Sequence, residues 1–292
     1  MEFGFKQNTC IYNHHYSFVK KMLSNDTTKG KVVVLVEGDD DVPVYEKLLI
    51  HSFTIIKAAP EENGVRGCRY VELVTERIVF EKPNAALIGI RDADYTKWMP
   101  RRVIHNVFRT DEHDMEMMLM RGANAQQSLE ALKQGASGKW IWIRDNICVP
   151  RGQMRLLNDV LGLRCSFKDG ARISNLWDFS HGSVRKGEWQ TFMTTDFIRN
   201  CNPKNGIKFT SQILSIKIAE LRLNNVSWYE ICQGHDAVKA LQYELNDSNI
   251  NEDIITKKLR DAYSVTDFRN THLCNNLIIF SRALGMNIVK QR

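Results

Sequence analysis

A chain of 292 residues with a net charge of +6 and 43% apolar residues can build one large domain or two ordinary ones around a real core. No apolar run approaches a membrane span, and the N-terminus carries Lys6 and polar residues where a secretion signal would be apolar. The seven cysteines are odd in number, scattered and without a CxxC pair, which argues against a zinc site or disulfide framework and for a reducing cytoplasm.

Residues 10–24 read as a short amphipathic helix, with Tyr12, Val19 and Leu23 on one stripe. A polar linker to Gly30 completes an N-terminal segment, residues 1–30. "KVVVLVE" (31–37) is a continuous apolar run, the mark of a strand buried on both faces as in parallel sheets. "DDDVPVYEKLLI" (39–50) follows as a helix, with aspartates around its start and Pro43 in its first turn. "SFTIIKA" (52–58) is a second strand, "ENGVRG" (62–67) a loop and "CRYVELVTERIVF" (68–80) a second helix. After Pro83, "AALIGI" (85–90) is a third buried strand running into "RDADY". "RVIHNVFRT" (102–110) reads as a fourth strand, and "DEHDMEMMLM" (111–120) opens a helix. The β-α-β-α-β-β-α order predicts an α/β fold: an open, mostly parallel sheet with flanking helices over 31–121. Helical periods then dominate 122–292, at about 123–133, 138–147, 151–162, 209–223, 235–246, 252–262 and 271–284, which predicts a mainly helical domain for substrate, partner or dimer contacts.

Two strands end in acid: the first in Glu37, the third in Asp92 and Asp94. In open α/β sheets the working site lies at the carboxyl ends of the strands. If those two strands are neighbours, three carboxylates converge, and mutual repulsion calls for a hard divalent cation with oxygen ligands. Asp92 and Asp94 are two apart, so on an extended segment both would face one metal. Helix capping accounts for Asp39, Asp40 and Asp41, but not for Glu37 at the last strand position beside Gly38. Glu116 or Asp114 would complete a second metal site; equally, Asp111 to Asp114 supply a helix N-terminus with Glu116 on its solvent face. His113, beside these acids, is a candidate proton donor to a leaving oxygen.

"VLVEGDDDVPVY" followed by "ALIGIRDADY" resembles the Toprim domain of type IA and II topoisomerases, DnaG primases and OLD-family nucleases over residues 31 to 120. The resemblance implies a Toprim fold in which Glu37, Asp92 and Asp94 hold Mg²⁺, one ion or two with Mn²⁺ as a substitute, with Asp41 as the further acid beyond the Glu-Gly. The layout, with "TDEHDMEMML" after the fourth strand and a late "GHD" (234–236), is similar to the Toprim effector subunit of the PARIS anti-phage defence system. That implies a toxic endoribonuclease cleaving host tRNA, restrained by an ATPase partner and active as a homodimer. The chain has no Walker-type loop, so an ATP-driven switch belongs to a partner. No zinc spacing and no room for a topoisomerase arch remain, which fits hydrolysis by a metal-activated water. An OLD-type DNA nuclease or nickase and a catalytically silent Toprim regulatory subunit stand as alternatives.

Charge adds a substrate argument. Residues 1–120 hold 16 Lys and Arg against 18 Asp and Glu; residues 121–292 hold 24 against 16. An acidic part joined to a basic one suits a polyanionic substrate, although surface Lys and Arg also serve solubility. "NGVRGCR" (63–69) precedes a helix, so its backbone amides with Arg66 and Arg69 are candidates to cradle a phosphate, and the alternative is a plain connection. Lys57, at the end of the second strand, is a comparable candidate. In "GKWIWIR" and "SVRKGEW", Trp140 and Trp142 read as core, and Arg185 and Lys186 beside Trp189 as a surface grip on nucleic acid. The "GHD" acid reads as a helix-dipole acid or a substrate contact.

Overall fold

The computed structural model describes residues 13–26, 29–59, 67–99, 102–163 and 210–291. The chain divides into two compact units: Met1–Ala93 with Arg101–Asp111 and Ser264–Arg292, and Asp94–Pro100 with Glu112–Tyr263. The boundary expected near residue 121 is therefore not where the chain divides. The chain leaves the first unit twice and returns to it after residue 263.

The first unit is α/β. Its strands are β1 (Val32–Val36), β2 (Thr54–Ala58), β3 (Leu87–Arg91) and β4 (Val107–Arg109), all parallel in the order β2-β1-β3-β4. The apolar runs account for the centre of the sheet: every residue of β1 and β3 is buried, as strands covered on both faces must be. β4 is shorter than the nine residues expected. Val107 N–H donates to Ile104 in a turn, and Val103 is 84% exposed, so the residues before the turn leave the sheet.

Helices α1 (Asn13–Ser24), α2 (Val42–Leu48) and α3 (Cys68–Glu81) flank this sheet. Tyr16 and Val19 of α1 join Tyr70, Val71, Val74 and Ile78 of α3 over Val33 and Leu35. α3 lies close to the sheet because β3 offers Gly89: a Cβ there would stand 2.6 Å from Val71 Cγ1 and 2.8 Å from Thr75 Oγ1. Two late helices, here α12 (Val265–Arg269) and α13 (His272–Ala283), belong to this unit as well. Phe268 of α12 meets Tyr45 of α2 edge to face at 6.5 Å, and Phe280 of α13 meets Phe108 of β4 at 6.1 Å. The C-terminal residues return to α2, where Ile50 N–H donates to Ile288 and Lys290 N–H to Leu48.

The second unit is helical: α4 (Met115–Arg121), α5 (Ala125–Leu132), α6 (Ala136–Ile143), a π turn (Arg144–Cys148), α7 (Val149–Leu161), α8 (Ser211–Glu220), α9 (Trp228–Ile231), α10 (Gly234–Leu245) and α11 (Glu252–Ala262). Met115 and Met117 to Met120 are all buried, so α4 is an apolar centre against which α5, α9, α10 and α11 pack. Trp140 is buried as expected, and Trp142 is half-buried. No helix among the described residues is long and apolar enough to cross a membrane.

Candidate functional site

The carboxyl end of the sheet in the first unit brings two of the predicted acids together. β1 and β3 are neighbours, with Leu35 opposite Gly89, so Glu37 and Asp92 both lie just beyond their strand ends. Glu37 Oε1 accepts a hydrogen bond from Asp92 N at 2.9 Å. The other oxygen, Oε2, lies over Gly67, where a Cβ would come within 3.0 Å of it. Gly67 has φ 57° and ψ −140° and precedes α3. That conformation is open almost only to glycine, and it brings bare backbone against the carboxylate.

Asp41 does something other than cap α2. Its side chain makes no cap bond to the helix; Oδ2 accepts from Gly38 N at 2.9 Å, closing the turn that follows Glu37. Asp39 and Asp40 are exposed. Asp41 therefore steadies the Glu-Gly turn, and the expected capping role is corrected.

The Asp-Ala-Asp segment is not extended. Asp94 has φ 48°, in the left-handed region that Asp tolerates better than most residues, and its N–H donates to His113 O at 2.8 Å. Alternation along an extended strand therefore does not apply to Asp92 and Asp94. Ala93 N donates to Thr110 Oγ1 at 2.9 Å, tying this segment to the end of β4. Arg91, 1% exposed, donates through Nε to Glu72 at 2.9 Å and through Nη1 to the carbonyl of Asp92 at 3.0 Å. Sequence reasoning passed over Arg91, yet a charged residue closing a buried strand directly before two acids was a visible signal.

The acids after β4 part company. Asp111 accepts from His272 N at 2.6 Å and Leu273 N at 2.8 Å, so it serves the N-terminus of α13, a helix that starts 161 residues later. Asp114 caps α4: Oδ1 accepts from Met117 N at 2.9 Å, and Oδ2 accepts from Gly234 N at 2.7 Å and lies 3.0 Å from His113 Nδ1. These bonds give Asp114 a structural task at the start of α4. His113 is 4% exposed, in edge-to-face contact with Tyr95 at 4.7 Å. It is buried in the helical unit, with Nδ1 against Asp114. Glu116 is half-buried in the first turn of α4.

The acid of "GHD" is also structural. Asp236 accepts from Arg151 Nε at 2.6 Å and from Arg155 Nε at 2.9 Å, and both Asp236 and Arg151 are buried. Burial lowers the Arg151 guanidinium pKa, and Asp236 opposes that shift. Burial likewise pushes the thiols of Cys148, Cys232 and Cys274 upward, so none of the three is a ready thiolate nucleophile.

Of the predicted phosphate-binding residues, Lys57 on β2 and Arg69 in the first turn of α3 are exposed. Arg66, Arg185, Lys186 and Trp189 lie outside the described residues. Among the described residues, no group of three or more His, Cys, Asp and Glu side chains is arranged to hold a metal ion. Glu37 meets Asp92 at the strand ends through the Asp92 backbone amide. Mg²⁺ keeps several waters and commonly uses one or two carboxylates together with substrate phosphate rather than an all-protein cage. No protein-family model matches the chain, and no curated protein matches it.

Proposed function

We propose that the protein is a Mg²⁺-dependent endonuclease of the Toprim type that hydrolyses phosphodiester bonds in RNA, with tRNA as the favoured substrate. The observation that carries this reading is the pairing of Glu37 with the Asp92 backbone where two central parallel strands end side by side. In open α/β sheets that is where ligands bind, and the carboxylates of Glu37 and Asp92 are hard oxygen donors of the kind that suits Mg²⁺, or Mn²⁺ in its place.

Glu37 and Asp92 are the residues that would hold the ion. When bound, it supplies Lewis-acid stabilisation of phosphoryl charge and a more acidic coordinated water. The chain's own residues orient the ligands. The Asp92 amide holds one oxygen of Glu37, Gly67 leaves room beside the other, and the Asp41–Gly38 bond sets the turn from which Glu37 projects. Arg91 braces the carbonyl of Asp92 from the interior. The excess of basic residues beyond position 120 supports a polyanionic substrate. Restraint by an ATPase partner, homodimerisation on release, a role in anti-phage defence and a cytoplasmic setting complete the proposal, and these rest on the family resemblance.

The test is a side-by-side digest of bulk tRNA and supercoiled plasmid by the purified chain, with Mg²⁺ and with EDTA. Mg²⁺-dependent tRNA cleavage that Glu37→Ala abolishes is the expected result. Plasmid nicking alone would move the reading to a DNA nuclease. No cleavage of either substrate under any divalent ion would leave a regulatory subunit.

A further inference from the structure

Within the first unit, the residue after β4 holds the backbone on both sides of Asp92. Thr110 N–H donates to the carbonyl of Arg91 at 3.0 Å, and Thr110 Oγ1 accepts from Ala93 N at 2.9 Å. The first bond extends the parallel ladder, whose last paired residues are Arg91 and Arg109. On a continuing ladder the next bond would run from Ala93 N to the Thr110 carbonyl. Thr110 offers its hydroxyl oxygen in that place, so the chain is still held where it leaves the strand.

Two further bonds complete the frame. The carbonyl of Asp92 accepts from Arg91 Nη1 at 3.0 Å, and Asp92 N donates to Glu37 Oε1 at 2.9 Å. Both peptide units that flank Asp92 are therefore bonded at their N–H and at their C=O. Thr110 supplies one partner to each unit. It is 4% exposed, so water is poorly placed to replace its hydroxyl.

We infer that Thr110 is a positioning residue: by fixing both peptide units it sets where the Asp92 side chain leaves the backbone and aims the Asp92 amide at Glu37. The inference deepens the function proposed above and rests on that reading only for the ion the two acids would hold. Ligands must be kept within about 0.5 Å of a productive geometry by groups that are themselves locked. A buried threonine bonded through both its backbone and its side chain meets that need.

The experiment compares the natural chain with Thr110→Val, which exchanges the hydroxyl for a methyl group, and with Thr110→Ser, which keeps it. The first readout is amide hydrogen exchange of the full chain in EDTA, resolved by nuclear magnetic resonance, with Val34 N–H in β1 as the reference for global opening. In the natural chain the Asp92 and Ala93 amides should exchange at least about a hundredfold slower than in an open chain. In Thr110→Val both should lose about tenfold of that protection relative to Val34, the worth of one hydrogen bond, and Thr110→Ser should restore it. Asp92 is the decisive amide because its partner is Glu37: a threonine that served local packing alone would release Ala93 and leave Asp92 unchanged. The second readout is Mn²⁺ affinity by electron paramagnetic resonance in the absence of EDTA, expected to fall at least about fivefold in Thr110→Val and to recover in Thr110→Ser. A natural chain that binds no Mn²⁺ would overturn the metal reading, and release of the Asp92 amide in Thr110→Val would still carry the positioning of Glu37. An Asp92 amide unchanged in Thr110→Val, no recovery in Thr110→Ser, or Mn²⁺ bound equally well by the natural chain and Thr110→Val would overturn the inference. So would open-chain exchange of Asp92 in the natural chain, a result that needs no variant to fold.

Discussion

Replacing Glu37 by Gln and by Ala separates charge from hydrogen bonding. In the folded chain Oε1 of Glu37 accepts from Asp92 N at 2.9 Å. A hydrogen bond to a charged group contributes about 1.5–3 kcal/mol and a neutral one about 0.5–1.5 kcal/mol, so Glu37→Gln should cost about 1 kcal/mol of stability. Glu37→Ala removes the acceptor entirely. Both residues are half-buried, so water replaces part of the lost bond and the cost should stay near 2 kcal/mol. Function should respond differently. If Glu37 holds Mg²⁺, either variant loses a charged ligand. The lost transition-state stabilisation of several kcal/mol, at about 1.4 kcal/mol per tenfold, corresponds to a rate lower by about two to four orders of magnitude. The assay is the initial rate of tRNA cleavage across a Mg²⁺ titration, with urea midpoints measured on the same preparations. Gln and Ala variants that are almost equally inactive but unequally stable support the ligand role. A Glu37→Gln enzyme that cleaves within threefold of the natural rate at the same Mg²⁺ requirement would refute it, leaving Glu37 as a hydrogen-bond acceptor for the strand end.

Gly67→Ala should lower stability by about 1–3 kcal/mol through backbone strain. It should also raise the Mg²⁺ needed for half-maximal cleavage, because the new Cβ would press on Glu37 Oε2; an unaltered Mg²⁺ titration would count against that contact. Asp236→Ala leaves the buried Arg151 without its carboxylate, so a loss of about 3–5 kcal/mol is expected in urea unfolding, and a loss below 1 kcal/mol would show that water compensates. Asp114→Ala removes the cap of α4 and the acceptor for Gly234 N. The combined cost should be about 2–4 kcal/mol, with Mg²⁺ dependence unchanged in the surviving folded protein. A shift in that dependence would return Asp114 to the metal site.

The strand positions were legible because burial on both faces leaves a simple mark. "VVVLV" and "LIGI" are too continuously apolar to belong to surface strands, and both are central in the sheet. The α/β alternation, the parallel order and most helices of the second unit follow from periodicity in the same way. Glu37 stood out because a strand end beside Gly38 has no local use for a charge. Pairing partners were not legible. Asp111, Asp114 and Asp236 look alike in sequence as acids near helix starts, yet each answers to groups distant in the chain: the amides of α13, Gly234 N, and the arginines of α7.

The sequence by itself determined the elements that local forces decide: strands from apolar runs, helices from their 3.6-residue period, and the two acids delivered to the carboxyl end of a parallel sheet. Only the tertiary structure decided the company each acid keeps. It brought the Asp92 amide onto Glu37 and turned Asp41 back onto Gly38. It placed Asp94 at positive φ and buried His113. It also returned α12 and α13 to the sheet after the helical unit, where Phe268 and Phe280 find aromatic partners. The physical reason is that a carboxylate's role depends on which donors lie within about 3 Å of it. Residues distant in the chain supply those donors, and only close packing of the folded chain brings them there.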